Sequence, residues 1–426
     1  MLSRREFFLA STALVAFRND TLDVVEKLLA RSEAHPQDED FWAQIQQAFS
    51  LDRNVVNFNN GGCSPSPRIV QDALRRQIEY SNQAPSYLMW QQLEPEVESV
   101  RRRLAAAFGC DAEEIAITRN ASESLETVLL GFDFKPGDEV ITTVLDYPRM
   151  ITTLHQRERR DGIKLVQIAV PPIVGSTREY VRAIESAITD RTRLILASHV
   201  SFMNGQIFPV RAINDLGHKR GIPVLIDGAH AFAQFPMQRD ELGVDFYGTS
   251  LHKWLMAPLG TGFLYVRKEK IKDVWSLMAS GPEQVDNIRK FEEIGTHPAA
   301  NHNAIGEALT FNEMIGFERK AARLRYLRSQ WTEHIADCKN VRYYTSLDPH
   351  NSCGLTTVGI RGIKTADLQA YLLAKHNIYV TSINTPGSGV EPLIDGIRVT
   401  PNVYTTIAEV KRFAAAMREA ATVGVN

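Results

Sequence analysis

Cysteine is scarce in this chain: Cys63, Cys110, Cys338 and Cys353 are the 4 in 426 residues, and none stands in a CxxC spacing. That leaves no basis for a zinc site or a disulfide scaffold, and the thiols are expected to be buried, single residues. Charge of one sign is lacking too. The 48 basic and 50 acidic side chains leave a formal net charge of -2, so neither nucleic acid nor an anionic membrane surface finds an electrostatic handle. No HExxH, GxSxG, Walker or GxGxxG pattern occurs, which removes support for a metalloprotease, serine hydrolase, NTPase or dinucleotide enzyme. There is no internal repeat, no low-complexity tract, and no apolar run of transmembrane length.

What is present begins with an unusual start. Ser3-Arg4-Arg5-Glu6-Phe7-Phe8-Leu9 is close to the twin-arginine export pattern, and Phe7 to Phe17 supplies a short apolar region without a clean A-x-A cleavage site. Residues 1–17 are therefore expected to be a signal segment that sends a folded protein to the periplasm. The alternative is an amphipathic helix lying on a cytoplasmic protein. Residues 18–50 read as N-terminal helices, from the apolar spacing of Leu22, Val25, Leu28 and Leu29 and its continuation over Phe41 to Phe49. A chain of this length, 44% apolar, suits a large domain over residues 51–320 and a smaller one over 321–426.

The chemistry concentrates between Val224 and Gly262. Val224-Leu225-Ile226 reads as a central parallel strand, apolar on both faces, and Asp227 follows its carboxyl end, where open α/β sheets place their ligands. A second short strand, Phe246 to Ser250, leads at once to His252-Lys253-Trp254. A lysine set among aromatic rings and glycines is poorly solvated, which favours its neutral, nucleophilic form and a Schiff base with an aldehyde. Upstream, the strand Glu114 to Thr118 feeds a helix through Arg119-Asn120-Ala121-Ser122. Free backbone N–H groups at such a helix start suit a phosphate, although Asn120 acting as an ordinary N-cap would give the same residues.

Other elements follow from periodicity and punctuation. Helices are expected over Glu94 to Phe108, with Gly109 as the stop, over much of Asn303 to Asp337, over Thr365 to Lys375 and over Thr406 to Ala421, the last opened by the capping box Thr406/Glu409. Strands are expected at Asp138 to Val144, Arg193 to Ser198, Gly262 to Arg267, Val341 to Tyr344, Leu355 to Ile360 and Ile378 to Thr381. Val55-Val56-Asn57-Phe58 turns from a short strand into the loop Asn59-Asn60-Gly61-Gly62.

Asp227-Gly228-Ala229-His230 followed by Ser250-Leu251-His252-Lys253 resembles the core of pyridoxal-phosphate enzymes of fold type I, and more narrowly the class V aminotransferase group with its isopenicillin N epimerase branch. The resemblance runs from about Phe41 to the C-terminus. It implies an α/β fold: a large domain with a mostly parallel, mixed sheet that binds pyridoxal 5'-phosphate, and a small α+β C-terminal domain. It also implies roles. Lys253 would hold the cofactor and act as base, Asp227 would keep the pyridine nitrogen protonated, His230 would hydrogen-bond the phenolic oxygen, and Tyr147 would cover one ring face. Ala121, Ser122, Ser250 and His252 would grip the phosphate, joined across a homodimer by Thr296 of the neighbouring subunit. Arg398 would take the substrate's α-carboxylate, and Asn60 is a candidate substrate contact.

The resemblance is imperfect. Desulfurases commonly carry an asparagine where this chain has Phe202, so Asn204 is considered as its substitute. They also need a mobile cysteine shortly before the carboxylate arginine; the loop Thr385 to Val390 has none, and no cysteine follows Cys353. The expected activity is accordingly transamination or epimerisation at the α-carbon of an amino acid or of an amino-acid side chain in a peptide-like metabolite. C–S lysis, exported tailoring of a glutamyl side chain on pyoverdine, and a catalytically inactive binding protein are the alternatives.

Overall fold

A computed structural model describes residues 35–173, 175–385 and 393–425. The expected signal segment with Arg4 and Arg5, the helix expected over Thr21 to Ala34 and the stretch Pro386 to Val390 lie outside the described residues.

Strands come in chain order as β1 Val56–Asn57, β2 Ile115–Thr118, β3 Glu139–Thr143, β4 Lys164–Ile168, β5 Thr192–Ser198, β6 Val224–Asp227 and β7 Phe246–Ser250. They continue with β8 Gly262–Val266, β9 Val341–Tyr343, β10 Thr356–Ile360, β11 Ile378–Tyr379, β12 Thr381–Thr385 and β13 Ile394–Val399. Seven of them form one sheet in the order β2-β8-β7-β6-β5-β3-β4. The pairs from β4 through β7 are parallel, and β8 runs against both neighbours. This is the mostly parallel, mixed α/β sheet expected from the resemblance. Helices cover both faces, so the central strands carry apolar residues without alternation; Val224, Leu225 and Ile226 are each fully buried.

Local signals fixed most of the boundaries. The helix Glu94–Phe108 ends at Gly109, whose φ of 79° is a left-handed value that favours glycine. The C-terminal helix Ile407–Val423 opens with the Thr406/Glu409 capping box, both reciprocal bonds being present.

The second sheet, β12-β13-β10-β9, is antiparallel and packs with the helices Thr365–His376 and Ile407–Val423. Two features differ from the expected division of the chain. First, β1 does not join the large sheet: it pairs with β11, and Val56 and Phe58 pack in the C-terminal core, Phe58 against Phe413 at 5.3 Å. Second, no break falls at residue 320, because the helix Phe317–His334 runs through it. Ala321 and Leu324 belong to the core under the large sheet, whereas Leu327 and Trp331 belong to the C-terminal core. One continuous helix thus serves both cores.

The cysteine expectation needs correcting as well. Cys353 is buried, Cys110 and Cys338 are half-buried, and Cys63 is exposed in the loop after β1. That loop must leave β1 toward the large sheet, and its glycines and prolines leave little side-chain bulk to cover a thiol.

Candidate active site

Parallel strands end together, so the residues that follow β2, β5, β6 and β7 converge on one edge of the sheet. There a cleft of about 680 Å³ is lined by Gly61, Gly62, Ala121, Ser122, Tyr147, Arg149, Phe202, Asp227, His230, Ser250, His252, Lys253 and Arg398, among others. Nine of the eleven residues singled out from sequence as a site therefore meet here. Thr296 and Asn60 do not.

Asp227 is the last residue of β6. Its Oδ1 accepts the N–H of Ala229 at 2.9 Å, and among the described residues no protein donor reaches its second oxygen. Burial lifts its pKa to about 6, against the pull of that N–H and of Lys253. Gly228 is required here by close approach: a Cβ would stand 2.1 Å from the ring of Tyr247. Past this turn, His230 is buried with Nε2 at 3.0 Å from Lys253 Nζ and with Nδ1 lacking a partner. Burial, then the charges of Lys253 and Arg398, hold the imidazole well below its usual pKa and keep it neutral.

Lys253 sits in the bend after β7. Withdrawal from water pushes its ammonium down to about 8, although Asp227 pulls the other way. The bend is clamped from behind by residues that no motif marks. Lys320, fully buried in the helix Phe317–His334, donates to the carbonyl of Trp254 and, at 2.7 Å, to Asn312 Oδ1. Asn312 Nδ2 in turn donates to the Leu255 carbonyl at 2.8 Å. Lys320 hid in the sequence as one cation of a charged helix.

The helix Ala121–Gly131 begins where β2 ends. Asn120 does cap it, its Oδ1 accepting the Glu123 N–H at 2.9 Å, and the Ala121 N–H donates to Ser250 Oγ at 3.0 Å. Capping and cleft-lining are thus compatible. His252 Nδ1 lies 3.2 Å from the Thr261 carbonyl, and burial together with Lys253 pushes this imidazole down to about 4.

Tyr147 is 37% exposed on the cleft and meets Phe202 edge-on at 5.1 Å. Its place is set by Asp146, another residue that sequence reasoning passed over. Asp146 is buried and accepts from Thr142 Oγ1, the Thr143 N–H and Oγ1, and the Ser198 N–H and Oγ, all within 2.9 Å. These bonds tie the loop after β3 to the end of β5.

Arg398 lies on β13 and is 6% exposed. Nη1 donates to the Phe202 carbonyl at 2.9 Å, Nη2 donates to Asn59 Oδ1 at 3.0 Å, and the buried Nε has no partner among the described residues. Burial draws its pKa down to about 10.

Three expectations fare differently. Asn60 is fully buried: its Nδ2 donates to the carbonyls of Asn57 and Thr400, and its Oδ1 accepts from Tyr404. Every polar atom of that amide is occupied, so it braces the loop and cannot also contact a substrate. Asn204 is likewise occupied, donating to the carbonyls of Pro172 and Tyr344, and does not stand in for the asparagine replaced by Phe202. Thr296 lines a different cavity of about 500 Å³, with Trp90, Glu98, Arg101 and His297.

The sequence profile of the family described as aminotransferase class-V matches residues 56–413. Isopenicillin N epimerase of Amycolatopsis lactamdurans is 28% identical over 398 residues, covering 89% of this chain and 98% of that one. Two solved structures share the fold. The apo cysteine desulfurase of Thermococcus onnurineus NA1 superposes with a TM-score of 0.76 at 23% identity, over 92% of this chain and 99% of its own. A C-DES variant with glycine covalently linked to its PLP cofactor gives 0.77 at 22%, over 88% and 99%.

Proposed function

The chain belongs to the aminotransferase class V family, and from that premise we propose that it is a pyridoxal-phosphate enzyme that moves a proton at the α-carbon of an amino-acid substrate, by epimerisation or transamination. The observation that carries this reading is one cleft holding a carboxylate, a lysine of lowered pKa and a buried guanidinium without a counter-ion.

The residues fit the cofactor. Asp227 has an oxygen without a protein donor for the ring nitrogen, His230 has an unpartnered Nδ1, and the start of the helix Ala121–Gly131, with Ser122, Ser250 and His252, suits a phosphate. When bound, pyridoxal phosphate supplies an aldehyde for covalent attachment and a ring that accepts the electron pair left by a broken bond. The protein does the rest. Asp227, buried yet ionisable, holds a proton on the ring nitrogen. Lys253 would hold the cofactor and would take the α-proton and give one back, for which a pKa of about 8 is well placed. His230 fixes Lys253 Nζ between these tasks, Tyr147 covers the ring, and Arg398 orients the substrate through its carboxylate.

The test is a panel of L- and D-amino acids with the loaded protein, following solvent deuterium at the α-carbon and release of keto acid. Deuterium without keto acid means epimerisation, and keto acid means transamination. Sulfide released together with pyruvate and ammonia, in place of a keto acid that keeps the substrate's own side chain, refutes the reading in favour of C–S lysis.

A homodimer with shared sites belongs to the same proposal. Its support is the placement of Thr296 away from its own cleft, beside Trp90, which is 47% exposed. Sedimentation at monomeric mass would overturn it. The Arg4-Arg5 run favours a second reading, in which the enzyme is exported and modifies a glutamyl side chain on a pyoverdine-type siderophore. Cell fractionation with Arg4→Lys and Arg5→Lys tests that, because unchanged periplasmic recovery excludes the twin-arginine route.

A further inference from the structure

Arg398 is a buried cation surrounded by neutral acceptors. Two of its five N–H groups are taken, one by the Phe202 carbonyl and one by Asn59 Oδ1, and Nε is buried and open. No carboxylate among the described residues forms an ion pair with it. The fork therefore has a fixed direction and an unspent charge, which is what bidentate recognition of a carboxylate needs.

Among the described residues, Asn59 is the only side chain that fixes the direction. It stands one residue before Asn60, in the loop that a parallel bridge ties to Thr400, the residue just after the strand of Arg398. The loop does not depend on the Asn59 side chain for its shape. Its backbone is held by the Asn60 N–H to the Thr400 carbonyl, by the Gly61 N–H to Thr400 Oγ1 and by the Asn60 amide. Among the described residues, the Asn59 side chain makes one hydrogen bond, which it accepts from Arg398. Gly62 makes room for it, since a Cβ there would come within 3.1 Å of Asn59 Nδ2.

We propose that Asn59 is a positioning residue for substrate specificity: it aims the Arg398 guanidinium at the substrate's α-carboxylate and, being neutral, leaves the positive charge for that carboxylate. Aspartate has nearly the same shape and would aim the fork equally well. It would also neutralise the fork, so the enzyme would lose its preference for a carboxylate over a neutral group. The inference rests on the assignment of Arg398 as the carboxylate anchor under Proposed function.

The experiment uses cofactor-loaded wild type, Asn59→Asp, Asn59→Ala and Arg398→Gln, titrated with a panel of amino acids and the matching carboxamides. Half-saturation is read from the change in visible absorbance, and melting temperature is read without amino acid. Asn59→Asp should raise half-saturation for amino acids by about tenfold or more, leave the carboxamides within about threefold, and melt higher than wild type because the buried cation has gained a partner. Asn59→Ala should weaken amino-acid binding without the gain in melting temperature. If Arg398→Gln weakens amino-acid binding and Asn59→Asp does not, the role of Asn59 is overturned alone. If Arg398→Gln also has no effect, the carboxylate anchor itself is wrong. Should no amino acid change the spectrum, melting decides: an Asn59→Asp protein no more stable than wild type overturns the claim of a reserved charge.

Discussion

Lys253 makes the sharpest prediction, because in the role proposed for it its withdrawal from water would set how fast the protein captures its cofactor. Only the neutral amine attacks an aldehyde. At the usual lysine value of 10.5, roughly one molecule in a thousand is neutral at pH 7.5; at about 8, roughly a quarter are. The lowered pKa is thus expected to speed capture by roughly 200-fold at that pH. Apo protein mixed with pyridoxal phosphate in a stopped-flow spectrophotometer should give a rate that rises with pH and levels off with a midpoint near 8. Asp227 pulls the lysine pKa upward, so Asp227→Asn should move the midpoint lower. The cofactor's own titration is common to both proteins and cannot produce that difference. Stability gives a second readout. A lysine with a depressed pKa destabilises the fold fully below about 8, and this burden fades as pH climbs from about 8 to 10.5. The shift corresponds to about 3 kcal/mol as an upper bound, a net figure that already contains the attraction of the charged form to Asp227. Apo wild type should therefore gain stability relative to Lys253→Met across that window. A capture midpoint near 10, or a midpoint unmoved by Asp227→Asn, would refute the argument that burial and Asp227 set this pKa.

Three further outcomes follow from the surroundings of the site. Lys320 is fully buried, with its pKa drawn down to about 7 by loss of water; wild type should lose stability relative to Lys320→Met as pH falls from 10.5 to 7 and not below, measured by urea unfolding across pH. Asp146→Asn puts an amide against five donated bonds, and should cost about 2–4 kcal/mol in urea unfolding while loosening Tyr147; a change under about 0.5 kcal/mol would mean that the carboxylate is dispensable. Gly228→Ala forces a Cβ to 2.1 Å from the Tyr247 ring, and should destabilise by about 1–3 kcal/mol and reduce cofactor retention on gel filtration. Retention equal to wild type would show that the turn can shift without moving Asp227.

How far the sequence could be read depended on whether a signal was local. The helix Glu94–Phe108 and the strand β7 were legible because an apolar rhythm ended at a glycine or a turn, and the Thr406/Glu409 box marked its helix with two residues. Asp227, Lys253 and the Ala121 helix start were legible because each stands at the end of a strand or within three residues of it. No elements were assigned between Pro148 and Ala187, where β4 is an edge strand with exposed and half-buried residues in place of a continuous apolar run. The pairing of β1 with β11 joins residues more than 300 apart through two residues each, too few to leave a pattern. Asn59 and Asn60 show the limit most plainly. They are the same residue type side by side, and which one faces Arg398 follows from the bridge to Thr400, a register that only the folded C-terminal strand defines.

That limit has a physical origin in what a binding site requires. Asp227, His230 and Arg398 are buried and Lys253 is half-buried, and loss of water pushes each toward its less charged form. A fold selected for stability alone would pair or replace such groups. Here they converge with an oxygen of Asp227, Nδ1 of His230 and Nε of Arg398 left without protein partners, so the missing charges and hydrogen bonds are complementary to a ligand. The residues that hold them in this state, Asn59, Asp146, Asn312 and Lys320, satisfy backbone and side-chain groups around the cleft and carry no reactive role of their own. Sequence motifs reveal the reactive groups because their chemistry is distinctive. The holders are ordinary amides and charges whose meaning lies in which oxygen or nitrogen they face, and that is fixed by tertiary contacts.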